Sequence, residues 1–479
     1  MLTITQRVMV FTLFVYLAQA VAQGSVFSAY LFLIANETAT RVGMVAGTDG
    51  VVRICMAPTV GFLSDRFLTR AQMLKIGGVI GLFATVFSAK AFSTDSFPAL
   101  LAAQVVWGAF WSVTTPTIDS LLADWTPAGA RSKVYTTRMS VMMISSAVGP
   151  AIALCLFARF GDAWSVHHCR SVIYVGLLMY TIPISMLLFA FSDPPPPSLP
   201  LSTASSSSAP VAAEDGDDSQ LPPPKYLCPA SVCGSCNVLY VPSLVGISDV
   251  ITGLASGMTI KMFPLFFIEL VGLNPVGLQA VYLVTPLCIS LALNASSALS
   301  RRVGRLQTCL SMRSIGISFL LLLIALATGP QWLVILVYVV RTAFMNANKP
   351  ITKSIIMDSV PKEQRARWNA LETINGATFS GSALVGGFLI DIVGFRGTFM
   401  CTALLQALSL VPLAVLLAGG HVPLERTVEE QSTMSIKQQQ EKDTEGAVEL
   451  AQQPLVELGG RKWMALSTES QHGGEEEDK

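Results

Sequence analysis

The sequence predicts an all-α integral membrane protein with twelve transmembrane helices in two six-helix bundles. Three observations predict it. Only 13% of the 479 residues are charged and 52% are hydrophobic, with a mean hydropathy of +0.57, whereas soluble domains carry about 25% charged residues. Runs of roughly 20 apolar residues, the length that crosses a hydrocarbon core, recur twelve times. The first and second halves of the chain also repeat each other at a near-constant offset.

The runs fall at 8–34, 43–63, 73–92, 97–123, 135–158 and 171–191 in the first half, and at 240–270, 277–298, 310–328, 331–357, 369–390 and 397–419 in the second. Leu, Ile, Phe, Val and Ala fill them on all sides, and lipid-embedded bundles tolerate the Gly and Pro inside several. In the first run, Arg7, the stretch Val8–Leu17 and Ala18-Gln19-Ala20 imitate a secretory signal peptide with its cleavage site. The stretch runs on to Ile34 and is repeated later in the chain, which favours a retained first helix.

Fourteen Lys and Arg fall toward one side of the runs, Arg138 and Arg313, near the starts of theirs, among them. Five lie on the other: Arg41, Lys90, Arg159, Arg170 and Arg396. The positive-inside rule puts both termini and the central loop in the cytoplasm, with the plasma membrane and endomembranes equally open. Asn36-Glu37-Thr38 is then a candidate external glycosylation sequon, and Asn294-Ala295-Ser296, inside a helix, reads as chance.

The chain thus divides into a bundle at 1–191, a disordered Pro/Ser/acidic cytoplasmic linker at 192–238, a second bundle at 239–420 and a disordered acidic cytoplasmic tail at 421–479. The formal net charge of zero hides this division. The bundles carry 24 basic and 13 acidic residues, the linker 1 and 5, and the tail 6 and 13. Nothing in that balance suggests a nucleic-acid partner. The nine cysteines do not form a disulfide framework. Cys228, Cys233 and Cys236 lack a fourth ligand for a metal, which leaves S-acylation or an inert cluster. No cofactor or metal is implied. Four histidines, none beside a nucleophile or in a metal-spaced cluster, exclude an enzyme reading. The chain has no P-loop for direct ATP drive and no pore filter or Arg ladder for a channel.

Pro116, Asp124, Pro127 and Arg131 recur as Pro350, Asp358, Pro361 and Arg365, each displaced by 234 positions. The segment around Gly24 likewise aligns with that around Gly257, displaced by 233. Parallel repeats of six helices are a transporter architecture, with substrate bound between the halves near the midplane. GFLSDRFLTR, from Gly61 to Arg70, resembles the G-x-x-x-D-R-x-G-R-R loop of the major facilitator superfamily. Gly61, Asp65, Arg66 and Arg70 fit, while Leu68 and Thr69 depart from the pattern. SALSRRVGR, with Arg302, Gly304 and Arg305, is a degenerate second copy. Branch signatures are missing: SDPPPPSLP replaces the sugar-porter PESPR-like run, and of the drug-antiporter motifs only Gly149-Pro150 remains, with Gln104 in place of the Arg before Gly108.

The resemblance implies a secondary active transporter working by alternating access, functional as a monomer in the lipid bilayer. It also implies that the 61–70 loop latches a cytoplasmic gate through Asp65 and Arg66. The gating candidates are Gly61, Asp65, Arg66, Arg70, Asp124, Arg131, Asp358 and Arg365. Ionisable groups at bilayer depth are costly and are functional candidates by default. Arg53, Asp249 and Arg341 each lie about 14 to 15 Å into their helices, at 1.5 Å per residue, so all three reach one depth. Asp49 and Arg53 stand at i, i+4 and pair as readily as they bind a ligand. Asp249 is open to pairing with Arg341 or to carrying a proton. Helices 1, 4, 7 and 10 line the cavity in the family, which by resemblance adds Gln19, Gln23, Lys261, Asn346 and Lys349. Asp119, Asp124, Lys353 and Glu372 lie toward the cytoplasmic ends. The expected substrate is a small organic anion or zwitterion held by Arg fork geometry, with H+ as candidate coupling ion. The alternative is a non-transporting membrane receptor or scaffold on the same fold.

Overall fold

The computed structural model describes residues 3–125, 131–192, 240–359, 375, 376 and 378–419. The linker from 193, Cys228, Cys233, Cys236, Pro127, Pro361, Arg365, Glu372 and the tail from 420 lie outside the described residues, as do the side chains of Asp65, Asp124, Arg131 and Asp358.

All regular structure among the described residues is helical. Span 1 is α1 (Ile4–Ala22) and α2 (Ser25–Ile34), broken at Gln23-Gly24. Single helices follow as spans 2 to 5: α3 (Ala39–Arg66), α4 (Arg70–Thr94), α5 (Phe97–Asp124) and α6 (Arg131–Phe160). Span 6 is α7 (Val166–Met179) with α8 (Thr181–Phe189), and span 7 is α9 (Tyr240–Ile260) with α10 (Phe263–Glu269). Spans 8 and 9 are α11 (Pro275–Val303) and α12 (Arg305–Ala325), and span 10 is α13 (Gln331–Ala347) with α14 (Lys349–Asp358). The last stretch holds α15 (Ala383–Leu408) and α16 (Leu410–Ala418).

Nine helical stretches among the described residues are long and apolar enough to cross a membrane. The remaining spans explain themselves chemically. Helix α3 carries Arg41, Asp49, Arg53, Asp65 and Arg66, which lower its apolarity. Span 10 is interrupted at Asn348 because Pro350 has no N–H for the next helical bond. The 41-residue stretch Thr378–Ala418 is two spans. Gly394, at φ 72°, breaks α15 and lets the chain turn back. Twelve spans result, as the sequence predicts.

Several helices extend a few residues past the apolar runs because polar caps hold their first turns. Thr3 with Gln6, and Thr69 with Gln72, form capping boxes, and Asn274 caps α11 through the Gly277 N–H. Helix α12, which has no side-chain cap, begins at Arg305, five residues before the apolar run, so Arg313, counted with the cytoplasmic charges, lies about 12 Å inside the span.

Packing repeats between the halves. Span 1 packs on 5 and 6, span 4 on 2 and 3, and span 3 on 6; span 7 packs on 11, span 10 on 8 and 9, and α9 on α16. Span 1 is an integral member of its bundle, with Val8, Phe11, Ala18 and Val21 buried. The halves meet where span 2 lies on span 11 and span 5 on span 8. A Cβ at Gly43 would stand 2.5 Å from the Ala383 carbonyl oxygen, and one at Gly50 would stand 2.3 Å from the Gly381 nitrogen. Small residues are what let helices approach this closely in lipid. Farther along α3, Gly61 has nothing within 4 Å of that position. The end bearing Asn36 is therefore where the described halves close on each other. It is called the external end below, after the charge count.

Within the second half, a Cβ at Gly386 would lie 1.8 Å from the Met258 carbonyl oxygen. Gly386→Ala is expected to lower stability by about 2 kcal/mol or more, because backbone must move to admit the methyl group. Gly61→Ala should leave the melting temperature of the detergent-solubilised chain unchanged, and the pair of melting curves checks both.

Candidate functional site

Among the described residues, Arg53, Arg138 and Arg313 each form an ion pair within the membrane, whereas Arg341 and Lys261 do not. In α3, Arg53 holds Asp49 through two bonds, Nε to Oδ1 at 3.1 Å and Nη2 to Oδ2 at 2.8 Å. Its guanidinium also lies 5.6 Å from the Trp111 ring, which packs on Tyr16. The i, i+4 pairing expected from sequence is therefore present, and Arg53 is neutralised by its own helix. Asp119 pairs with Arg138, whose Nε donates to the Thr12 hydroxyl at 3.3 Å. That bond ties spans 1, 4 and 5 and makes Arg138, counted with the cytoplasmic charges, a brace between helices.

Asp249 pairs with Arg313, not with Arg341. The Arg313 side chain is 2% exposed, and its Nη1 donates to Ser248 at 2.6 Å and Thr252 at 3.1 Å. Ser248 in turn donates to the Ser409 carbonyl at 2.6 Å, so the cluster joins spans 7, 9 and 12. Lys349 is exposed on α14.

Arg341 stands apart. It is 3% exposed, and its guanidinium carbon lies 5.3 Å from the centre of the Phe263 ring. Phe263 is packed against Tyr338 at 4.8 Å and Phe399 at 4.9 Å. The Arg341 Nε and Nη2 have no hydrogen-bond partner. These two nitrogens form one edge of the guanidinium plane, the edge that grips an oxyanion with two parallel bonds. Lys261 occupies the break between α9 and α10, half-buried. It forms no ion pair among the described residues.

The amides divide as well. Gln23, at the break in span 1, has a buried Nε2 without a partner. Gln19 lies one turn before it, half-buried. Asn346 spends its Nδ2 on the Thr342 carbonyl at 2.8 Å in its own helix. Gln279 accepts from Ser25 at 3.1 Å across the two halves and keeps a partnerless Nε2. Sequence reasoning missed two of these residues. Arg313 was hidden by placing the helix start late, although Gly304 marks that start. Gln279 was passed over as one amide in an apolar run.

Among the gating candidates, Gly61 is exposed, Arg66 stacks 5.7 Å from Phe62 one turn earlier, and Arg70 donates to Ser64. In the second copy, Arg305 donates to Ser354 at 3.4 Å. Asn36 is exposed in a turn at φ 51°, where a sequon is accessible. Ser296 is buried inside α11, in keeping with the chance reading of the other sequon.

Removing one partner of a buried ion pair costs about 3–5 kcal/mol, because the other charge is left unanswered. Asp249→Ala should therefore lower the melting temperature of the full chain by on the order of 10 °C. Asp249→Leu combined with Arg313→Met should recover most of that loss, as measured by thermal unfolding in detergent.

Comparisons with known proteins follow the fold. Residues 9–371 and 247–468 match the model of the Major Facilitator Superfamily. Among solved structures, a D-xylose-proton symporter aligns at 14% identity over 88% of this chain and 98% of its own, with TM-score 0.63. A bacterial homologue of the iron transporter ferroportin in an inward-facing state aligns at 12% identity over 86% and 98%, with TM-score 0.62. The nucleoside transporter NupG aligns at 12% identity over 88% and 100%, with TM-score 0.58. None of the curated proteins matches the chain. Neighbours this distant share the fold alone, but the family model covers both bundles. The chain belongs to the Major Facilitator Superfamily.

Proposed function

We propose that this protein is a secondary active transporter of small organic solutes carrying a carboxylate or phosphate, moved by alternating access of the bundles at 1–191 and 239–420. The single observation that carries the substrate class is Arg341, a guanidinium 3% exposed with Nε and Nη2 free. A buried unanswered cation is costly, and an anionic ligand removes that cost on binding. Lys261 supplies a second cation at the break in span 7, and Phe263, Tyr338 and Trp111 supply apolar walls for the rest of the solute. Arg53, engaged by Asp49, has a lesser part than Arg341. The positive-inside count supports cytoplasmic termini and a cytoplasmic linker.

In proteoliposomes, Arg341→Met should lower saturable uptake of anionic solutes by about 100-fold or more, the worth of a charge-assisted bidentate contact. Its melting temperature should be unchanged or higher, since the substitution removes an uncompensated buried charge. Arg341→Lys should not restore uptake, because an ammonium lacks the fork. Uptake equal to wild type in Arg341→Met rejects the substrate class. Absence of saturable flux for every solute in the unsubstituted protein favours a receptor or scaffold.

Asp249 is the proposed proton carrier, because protonation would release it from Arg313 and let the brace between spans 7 and 9 relax. Asp249→Asn should abolish accumulation driven by a pH gradient while keeping solute exchange between equal pools. Accumulation that persists in Asp249→Asn rejects the proton role.

A further inference from the structure

At the external end, each half completes a helix belonging to the other. Helix α3 lacks a cap of its own: Thr38 precedes it, but the Thr38 hydroxyl donates to the Ala35 carbonyl at 2.7 Å. Asp391, from span 11 of the other half, takes its place and accepts from the Ala39 N–H at 2.9 Å and the Thr40 N–H at 2.8 Å. The reverse contact joins spans 5 and 8. Asp162, in the loop after α6, accepts from the Val276 N–H at 2.9 Å and from the Asn274 side chain. Two residues on, Trp164 donates to the Leu273 carbonyl at 2.8 Å.

We propose that Asp162 and Asp391 are the external gate: two reciprocal carboxylate caps that hold the halves together at this end and part when the solute path opens outward. Helix α3 has a side-chain cap only while the gate is shut, and α11, whose Gly277 N–H stays on Asn274, then loses the second carboxylate bond of its first turn. Opening strips four first-turn or capping donors at Ala39, Thr40, Asn274 and Val276 of their carboxylates, so each cap opposes opening with the strength of a helix N-cap. No basic side chain takes part in either cap among the described residues, which distinguishes this gate from an ion-pair latch. The spacing of small residues at Gly43, Gly47 and Gly50 continues the same seam toward the midplane. The proposal rests on the alternating-access reading, but its test uses no solute and so fails or succeeds apart from any flux measurement.

The test is hydrogen exchange followed by mass spectrometry on the full chain in lipid nanodiscs, comparing the segments 36–45 and 272–280. A cap of ordinary strength is worth about a fivefold shift in an equilibrium. Asp391→Ala should therefore speed exchange about fivefold in both segments, including 272–280, which Asp391 does not touch, because the halves separate as units. Asp162→Ala should do the reciprocal, and the double variant should reach about 25-fold. Asp391→Asn, which keeps one accepting oxygen, should show a smaller rise. The segment holding Tyr30 and Asp95, bonded to each other within one half at the same end, is the control and should keep its wild-type rate. Faster exchange confined to the segment each carboxylate touches, no change in either segment, or an equal rise in the control overturns the gate.

Discussion

A charge taken out of water must be answered by another charge or by a ligand, and that constraint organises this molecule. A low-dielectric interior makes an isolated guanidinium expensive by several kcal/mol. The bundle meets the demand three times with a carboxylate: Asp49 for Arg53, Asp119 for Arg138 and Asp249 for Arg313. Two of the three pairs join different spans, so the charges that had to be neutralised also serve as braces. Asp119 with Arg138 and Thr12 ties spans 1, 4 and 5. The Arg313 cluster ties spans 7, 9 and 12 through Ser248 and Ser409.

Helix number, order and most boundaries were legible in the sequence, because apolar length is a direct consequence of bilayer thickness. Pairing was less legible. The i, i+4 spacing of Asp49 and Arg53 gave that pair away, since both partners share one helix. Asp249 with Arg313 is a tertiary contact between spans far apart in the chain, and no periodicity encodes it. The start of α12 added to this: an apolar run beginning at 310 puts Arg313 at its cytoplasmic edge, whereas the helix begins at Arg305 and carries Arg313 inward. The same repeat that exposed the duplicated Pro and Asp residues concealed a further correspondence. Offset by 234, Asp119 and Arg138 become Lys353 and Glu372, opposite charges with the signs exchanged. A search for identical residues passes over these positions, because the charges there are exchanged in sign.

The described halves close on each other at the external end. Sequence resemblance directs attention to the 61–70 loop, through Asp65 and Arg66, whereas the contact that the structure describes between the halves is a carboxylate at a helix N-terminus. That physical device is present at the opposite end, in Asp162 and Asp391. Nothing local in the sequence marks those two residues. Asp162 is an ordinary acidic residue in a short connection and Asp391 one near the end of span 11, and the importance of each comes from the helix end that the other half brings to it. The Gly-rich face of α3 permits that approach: with Cβ atoms at Gly43 and Gly50 the helices would stand farther apart and the caps would be out of reach.

The halves also differ in electrostatic balance, and the difference has a direction. In the first half every midplane cation described has its carboxylate. In the second, Asp249 is committed to Arg313 while Arg341 and Lys261 have no ion-pair partner among the described residues. The positive charge that the described carboxylates leave unanswered therefore lies on one side of the interface between the halves, at Arg341 on span 10 and at Lys261 in the break of span 7.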